Sequence, residues 1–539
     1  MPRGIGPGEM LVWCFLAVLA VVVVAWPAGH GVREIAAGLM DEGRVAATAY
    51  QPPITLRPGL VASTLGWAIG IGACSTALAW PAAWAFRRHG AVVLPWIAAA
   101  MTMPSYLAYA GYGLVRSPGT WLGDWLSGMA QQGWHWAPIV AGKALAFAGL
   151  SLWSWPIPAL VMGWAVSRVD SGVLDAMAMD RIGPFRRAAM LARILARPLA
   201  SSVGIVSLVM IGSAVPLHLA QADTWSIALW FALDLTPWDS RWRVWLLAAP
   251  VMGIAAAAGW RVAAWAGRGS EMPEWCPPDR RGGRASTWLT ILVWLLATVA
   301  PVALFAWSLN RWGSLATFWI VNADAVGWSA AVWVTTGAIG AATCAAVWML
   351  GSSGRGAWFT RVVVASLVAI GLSPGVVVGA LVNQAWSSRE WTRPIADSFA
   401  IVTLAHLARF AWVPALIGCL LAGAEPEERR RQRRLDGATG WRGWWLACGA
   451  PGAGMIVSAG VLTGLLSMHE IESTVMVQPP GIDSLSRRIL QFLHFSRMED
   501  LSAAGVWLVG GGLVLACLAA GVLALTARRD DTGSPPSGT

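Results

Sequence analysis

Long apolar runs, separated by short polar segments, follow one another along the chain. Their length is close to the roughly 20 residues that an α-helix needs to cross a bilayer. The strands of a membrane barrel would instead be short and would alternate between apolar and polar residues. The pattern therefore predicts an all-α, polytopic membrane protein with about 12 transmembrane helices. These are expected at about 10–27, 58–86, 91–115, 138–166, 198–220, 244–267, 286–309, 325–350, 360–384, 399–423, 451–476 and 501–526.

Two short landmarks recur in the second part of the chain at nearly the same distance. Pro158-Ala159-Leu160 recurs as Pro414-Ala415-Leu416, a shift of 414 − 158 = 256 residues. Gly183 recurs as Gly437, a shift of 437 − 183 = 254. A common offset predicts an internal repeat, with chance matching of apolar sequence as the alternative. Because each repeat would hold six helices, an even number, the two repeats would lie parallel in the membrane.

A polar segment that contains three prolines separates the two predicted repeats. We predict a first permeation half over 1–267, a cytoplasmic linker over 268–285 and a second half over 286–527. The end of the chain, 528–539, is polar and rich in Gly, Ser and Pro. Such a composition cannot bury enough apolar surface to order itself, so a disordered tail is expected there.

Arginine residues lie mainly at the ends of the apolar runs. The chain of 539 residues is 57% hydrophobic and 12% charged, with a net charge of +10. In a soluble protein that excess would suggest nucleic acid, but arginines that flank membrane spans are typical of the cytoplasmic side. We therefore expect a multi-pass protein of the cell inner (plasma) membrane, surrounded by lipid, with both termini cytoplasmic and no nucleic-acid partner. The seven cysteines contain no CxxC pair and predict no metal or disulfide framework.

One polar stretch, 424–450, differs from an ordinary loop in the order of its residues. It places five arginines in six positions, then Asp436-Gly437-Ala438, and then Trp441 with two further tryptophans. A segment this charged cannot lie in hydrocarbon, so it connects two membrane helices. An ordinary arginine-rich inside loop is the simpler interpretation. The glycine and the aromatic residues behind it favour a loop that contacts a partner.

This stretch resembles the EAA loop of type I permeases of ATP-binding cassette (ABC) importers. Asp436, Gly437, Ala438 and Trp441 match that motif, whereas its Glu-Ala-Ala is replaced by Arg431-Gln432-Arg433. The corresponding loop of the first half, about 167–198, is a weaker match that retains Ala178, Gly183 and Phe185. The resemblance implies that both loops, here called the first loop (167–198) and the second loop (424–450), couple the chain to ATPase subunits.

Ionisable residues lie within two predicted spans of the second half. They are His406 and Arg409 in the tenth span, and His469, Glu470 and Glu472 in the eleventh. Charges at membrane depth are rare and often mark a transport pathway. The alternative is a structural ion pair that locks two helices, such as Arg409 with Glu470. The sequence leaves both interpretations open.

The segment 469–495 resembles the end of fused permeases for ferric iron. Glu470, Pro479-Pro480-Gly481, Arg488 and His494 carry that resemblance, while a turn followed by an interfacial helix is the simpler alternative. The chain lacks a phosphate-binding P-loop, because Lys143 is followed by Ala144 and Leu145. No catalytic constellation is recognisable, so we expect a transport permease and not an enzyme, with no cofactor or metal of its own.

The resemblance implies a permease subunit of an ABC importer that translocates ferric iron. ATP would then be bound by separate ATPase subunits, expected as a homodimer, and an external or periplasmic solute-binding protein would deliver the substrate. A permease for thiamine or phosphonate-type solutes is an alternative within the same class. A secondary transporter that needs no ATPase is the alternative from another class.

Overall fold

The computed structural model of the chain describes residues 7–41, 57–101, 103–180, 183–237, 240–266, 284–353, 356–425, 427–436, 438 and 440–533. Within these ranges every regular element is helical, and no β-strand occurs. This agrees with the predicted all-α class. A helix satisfies its backbone N–H and C=O groups internally, which a chain of this apolarity requires in hydrocarbon.

The described residues before the predicted linker form fourteen α-helices. Their bounds are α1 Pro7–Ala20, α2 Trp26–Asp41, α3 Pro58–His89, α4 Leu94–Ala100, α5 Ser105–Gly113, α6 Trp121–Gln131, α7 Trp136–Ser154, α8 Pro156–Ser167, α9 Ser171–Met179, α10 Pro184–Ile194, α11 Ala196–Gly212, α12 Val215–Leu219, α13 Trp225–Leu235 and α14 Trp242–Ala266.

The described residues from 284 onward form another fourteen α-helices. Their bounds are α15 Arg284–Trp294, α16 Ala300–Ser308, α17 Gly313–Ser353, α18 Ala357–Gly371, α19 Gly375–Ser387, α20 Arg393–Ala396, α21 Phe399–Phe410, α22 Trp412–Ala424, α23 Glu427–Leu435, α24 Trp441–Trp444, α25 Ala453–Met468, α26 Glu472–Val477, α27 Leu485–His494 and α28 Met498–Gly533. The last helix thus includes the first residues of the predicted tail. Residues 267–283, nearly all of the predicted linker, lie outside the described ranges.

Six helical segments are long and apolar enough to cross a membrane. They are Gly8–Met40, Pro58–His89, Trp136–Ser154, Trp242–Ala266, Arg284–Ser308 and Gly313–Ser353. Four further pairs of helices, each bent by more than 40° at a short break, raise the number to as many as ten. The described part of the chain is therefore a polytopic helical membrane protein with six to ten candidate spans. The finer prediction of about 12 spans stays a prediction.

Proline explains where one predicted span is divided. Residues 91–115 form two short helices, α4 and α5, and Pro104 is the residue immediately before α5. Proline has no N–H to donate and restricts the residue before it to extended conformations. Hydropathy therefore predicts one span for this apolar run, whereas the proline divides it into two helices.

The first and last helices of each part of the chain pack against the other part. Helix α1 contacts α17 and α18, and α15 contacts α3 and α4. In the same way α14 packs along α18, and α28 packs against α4. The largest buried apolar cluster accordingly joins Leu16 and Ala263 from the first part with Val347 and Leu367 from the second. The two parts are interlocked and share this cluster.

Candidate functional site

Each of the two predicted coupling loops folds as a pair of short helices followed by a sharp bend. In the first loop α9 and α10 precede α11, and Phe185–Ile194 lies at 74° to that helix. In the second loop α23 and α24 precede α25, and Trp441–Gly449 lies at 90° to it. Both loops therefore present a short helix that lies across the direction of the following candidate span.

Buried apolar side chains anchor the first loop to α8. Leu174 and Met177 of α9 and Leu191 of α10 pack in one cluster with Met162 and Val166 of α8. Met177 stands where the resembled motif has its glutamate, and its burial shows an anchoring role at this position. Ala178 lies in α9, close to the end of that helix.

The outer face of α10 is apolar at one end and basic along its length. Phe185 is 91% exposed, and Arg186 and Arg193 are exposed on the same helix. Gly183 precedes α10 in an extended conformation with φ −59°, and no atom lies within 4 Å of where its Cβ would be. The local structure therefore does not require glycine at position 183, unlike a turn that needs positive φ.

A single buried carboxylate holds the second loop together. Glu425 Oε1 accepts a hydrogen bond of 3.1 Å from Arg433 Nε, and Glu425 Oε2 accepts one of 3.2 Å from Arg433 Nη2. The Nε atom of Arg430 lies 3.6 Å from Glu425, and its Nη2 donates to the carbonyl oxygen of Ala422. Sequence reasoning treated the arginines as one charged run and missed this carboxylate, whose partner lies eight residues further on.

Tryptophan rings anchor the rest of the second loop. Trp444 is fully buried and contacts Trp348 edge to face, with ring centroids 5.4 Å apart. Trp441 lies against Trp444 and stacks on Trp445, with centroid distances of 5.4 and 5.8 Å. The exposed positions of the loop include Leu435, which is 87% exposed, and Asp436 beside it.

Asp436 and Ala438 of the matched motif lie between α23 and α24. The N–H of Ala438 donates to the carbonyl oxygen of Arg433, at 3.0 Å, and so turns the chain back after α23. Gly437, the predicted turn residue, lies outside the described residues. Ala438 lies against α24, because a Cβ on Gly443 would come 2.7 Å from the Cβ of Ala438.

The ionisable residues predicted within spans meet at a break between helices. Arg409 of α21 has its Nε 3.6 Å from Glu470 Oε1, so the ion pair named as the structural alternative is present. Arg409 Nη1 also donates to the carbonyl oxygens of Gly371 and Ser373, at 3.0 and 2.6 Å. Glu470 in turn accepts the N–H of Ser473 at 2.9 Å. The pair ties the gap between α25 and α26 to the gap between α18 and α19.

His406 takes a different part in the same region. Its two ring nitrogens lie 2.7 Å from Ser467 Oγ and 2.7 Å from Thr474 Oγ1, so it bridges α25 and α26. His469 occupies the end of α25, directly before Glu470. His406 therefore stabilises the break with neutral hydroxyl partners and makes no contact with a carboxylate among its described hydrogen bonds.

Glu472 connects the two parts of the chain. Its Oε1 accepts the N–H groups of Ala214 and Val215 at 2.6 and 3.1 Å and lies 3.4 Å from Ser213 Oγ. Ser213 and Ala214 form the break between α11 and α12, and Val215 begins α12, so the two broken helices face each other. The side chain is buried, and its other oxygen, Oε2, has no hydrogen-bond partner.

A cavity of about 280 Å³ lies beside this cluster, between the two parts of the chain. Its polar wall is formed by Asp234, Arg241 and Asn383, and its apolar wall includes Trp230 and Met476. Arg241 Nη2 donates to the carbonyl oxygen of Leu233 at 3.3 Å. Among the described residues, no group of three or more His, Cys, Asp and Glu side chains is placed to hold a metal ion.

The fold and these sites define a multi-pass helical membrane protein with a polar cluster between two interlocked parts. Comparisons of the chain with family models, with curated proteins and with solved structures find no match. The class of the protein therefore rests on its helices, its loops and the buried charges described above.

Proposed function

We propose that this chain is the membrane permease of an ABC importer, with both permease halves fused in one polypeptide. The observation that carries the proposal is the pair of matching loops. Each has two short helices, a bend of 74° or 90° and a large exposed apolar side chain on a basic surface. Phe185 and Leu435 are the exposed apolar side chains through which we propose that these helices dock on a partner protein.

The order of helices supports two repeats. Helices α8 and α22 begin at 156 and 412, a shift of 412 − 156 = 256. Helices α11 and α25 begin at 196 and 453, and α12 and α26 at 215 and 472, with shifts of 453 − 196 = 257 and 472 − 215 = 257. The π-helical turns Val21–Ala25 and Leu295–Val299 also occupy equivalent places, after α1 and α15. A parallel duplication would place both loops on one side of the membrane.

The start of α1 lies close to the second loop. A Cβ on Gly8, at the start of α1, would lie 3.0 Å from the Cβ of Trp441 in the second loop. The start of α1 and the second loop are thus on the same side. With the positive-inside rule this side is the cytoplasm, and the protein belongs to the inner (plasma) membrane with both termini inside.

In this proposal the chain holds no ATP, which is bound by a pair of ATPase subunits that dock on the two loops. A solute-binding protein on the outer side delivers the substrate. We propose ferric iron as that substrate on the resemblance of segment 469–495, with thiamine or phosphonate-type solutes as alternatives. The buried carboxylates Glu470 and Glu472 favour a cationic substrate over an anionic one.

A secondary transporter without an ATPase is the second candidate function. The unpartnered oxygen of Glu472 favours it, because cation-coupled transporters use buried carboxylates of this kind. Co-purification from native membranes separates the two candidates. An ATPase that remains bound, and whose ATP hydrolysis responds to changes at Phe185, supports the importer. Substrate uptake by the purified chain alone, without any ATPase, supports the secondary transporter instead.

A further inference from the structure

One contact at the break between α25 and α26 joins the two parts of the chain across their interface. The carboxylate of Glu472 caps the backbone of Ala214 and Val215 through a single oxygen, Oε1. Helix α25 has 16 residues and is roughly 24 Å long, and Glu472 lies beyond its far end, four residues after Met468. Any opening of a path between α12 and α26 must therefore break these two hydrogen bonds.

The second oxygen of Glu472 points to a place where other groups converge. A Cβ on Gly375 would lie 2.5 Å from Glu472 Oε2 and 3.2 Å from Glu470 Oε1, so both carboxylates border the same glycine. Tyr106, which interacts electrostatically with Glu470, is also buried, and its hydroxyl has no hydrogen-bond partner. Two carboxylates here face one guanidinium, that of Arg409. A proton or a bound cation would balance the second carboxylate.

The cavity lies on the same two helices, further from the loops. Helices α19 and α26 run side by side, since Gly375 faces Glu472 and Asn383 Nδ2 donates to Met476 O at 2.7 Å. Asn383 and Met476 line the cavity. Eight residues separate Gly375 from Asn383, which is about 12 Å along a helix. Glu472 therefore lies on the helix that forms one wall of the cavity, four residues before Met476.

We propose that Glu472 is the gate of this path and the ligand that opens it. In the closed state its carboxylate holds Ala214 and Val215. A cation that arrives from the cavity binds the carboxylate, draws it away from those N–H groups and so separates the two parts of the chain. This inference rests on the proposed transport function and adds to it the residue at which the path opens.

The small number of charged ligands suits a cation that passes through the site better than one that stays bound. Conduction requires binding that is favourable enough for entry and weak enough for release. Two carboxylates with one nearby guanidinium offer fewer charges than a resident metal site would, and oxygen ligands select hard cations. The site therefore suits a hard cation that passes through the chain, and not a cofactor that stays bound.

Thiol labelling of the full-length chain tests the gate directly. Ser213→Cys places a thiol beside Glu472, and peptide mapping by mass spectrometry reads its modification separately from the native cysteines. We expect slow labelling with Glu472 present and about tenfold faster labelling in Glu472→Ala, a factor that corresponds to about 1.4 kcal/mol. Ga3+ is a hard trivalent cation that thiols do not reduce. Supplied as its citrate complex, it should speed labelling with Glu472 present, whereas citrate alone should not.

Glu499 provides a matched control. Its carboxylate also accepts two backbone N–H groups and a serine hydroxyl, from Asn310, Arg311 and Ser314, but all within the second part of the chain. Glu499→Ala should leave the labelling of position 213 unchanged. Equal labelling in the Glu472→Ala and Glu499→Ala variants would contradict the proposal that Glu472 is the gate.

Glu472→Gln keeps an oxygen acceptor and the volume, so it decides the question if Glu472→Ala does not fold. It should label slowly and lose the response to gallium citrate; an unchanged response would reject the role of the carboxylate as a ligand. These assays need no ATPase, so their outcome is independent of whether an ATPase co-purifies.

Discussion

Glu425 and Arg433 form a buried ion pair at the base of the second loop, joined by hydrogen bonds of 3.1 and 3.2 Å. Two residues further along, Glu427 and Arg431 form a shorter contact of 2.6 Å, but these side chains are 73% and 70% exposed. Exposed pairs gain little because water and salt screen them, whereas removal of one partner of a buried pair leaves an uncompensated charge. Burial, and not the number of arginines, therefore decides which charges hold this loop.

The first prediction compares these two pairs. Glu425→Ala should destabilise the protein by about 3–5 kcal/mol, because Arg433 and Arg430 would lose their buried partner. Glu427→Ala, the matched control in the same loop, should cost less than about 1 kcal/mol. Thermal unfolding in detergent measures both. Similar losses for the two variants would mean that the buried pair has no special role.

Hydropathy and charge predicted where this loop lies, but not how it is held. The positions of the arginines and of Trp441 follow from the sequence, since neither a charged run nor an interfacial aromatic cluster belongs in hydrocarbon. The role of Glu425 depends on α22 ending at Ala424, which places the carboxylate at the exit of a helix. The burial of Trp444 against Trp348 depends on packing between distant helices, which no local pattern contains.

The second prediction concerns the side of the membrane on which the loops lie. Phe185 is 91% exposed in the first loop, and Phe495, which follows α27, is 70% exposed. In sealed cells an impermeant thiol reagent should modify Phe495→Cys and leave Phe185→Cys unmodified, relative to the parent chain with its native cysteines. The reverse pattern would place the loops outside and contradict the proposed orientation.

The third prediction concerns docking. Phe185→Ser removes an apolar side chain whose burial against a partner is worth about 1.5–3 kcal/mol. We expect it to weaken the association with the ATPase and to lower substrate-stimulated ATP hydrolysis, and Leu435→Ser to do the same for the second loop. Phe495→Ser is the control, because it makes the same kind of change on the other side. If Phe185→Ser and Phe495→Ser behave alike, the docking surface lies elsewhere.

The fourth prediction concerns Arg409 and Glu470. Arg409→Met would leave Glu470 buried without its partner and deprive two carbonyl groups of a donor, so a loss of about 3–5 kcal/mol is expected. Glu470→Gln should cost less, because the amide still accepts from Ser473 and Arg409 keeps its two carbonyl acceptors.

The double variant Arg409→Met with Glu470→Leu tests whether the pair acts as a lock. Replacing both partners of a buried pair by apolar groups often restores stability, so the double variant should melt above Arg409→Met alone. A double variant no more stable than the single one would argue against a lock. Transport measured in Glu470→Gln then shows whether the residue also lines the path.

The arrangement of this cluster could be predicted only in part. The rarity of charge within apolar runs identified His406, Arg409, Glu470 and Glu472, and elementary charge pairing suggested Arg409 with Glu470. The contact from Glu472 to Ala214 could not be foreseen, because its acceptor and donors lie 258 residues apart. Nor does hydropathy reveal that α25 and α11 both break at this depth, since each break lies inside a continuous apolar run.

The last prediction concerns the glycine against which both carboxylates lie. A methyl group at Gly375 would come within 2.7 Å of Glu472 Cβ as well as 2.5 Å of its Oε2, so the Glu472 side chain or the helix would have to shift. Overpacking of this kind costs about 1–3 kcal/mol, so Gly375→Ala should lower the melting temperature. Gly253→Ala is the control, because nothing lies within 4 Å of that position in α14, and alanine favours a helix over glycine. Gly253→Ala should leave the melting temperature unchanged or raise it slightly.

Gly375→Ala should also disturb the capping of Ala214, so labelling of Ser213→Cys should rise in the same variant. Normal melting together with slow labelling would mean that Glu472 can move freely away from Gly375, and the close packing of the gate would be wrong.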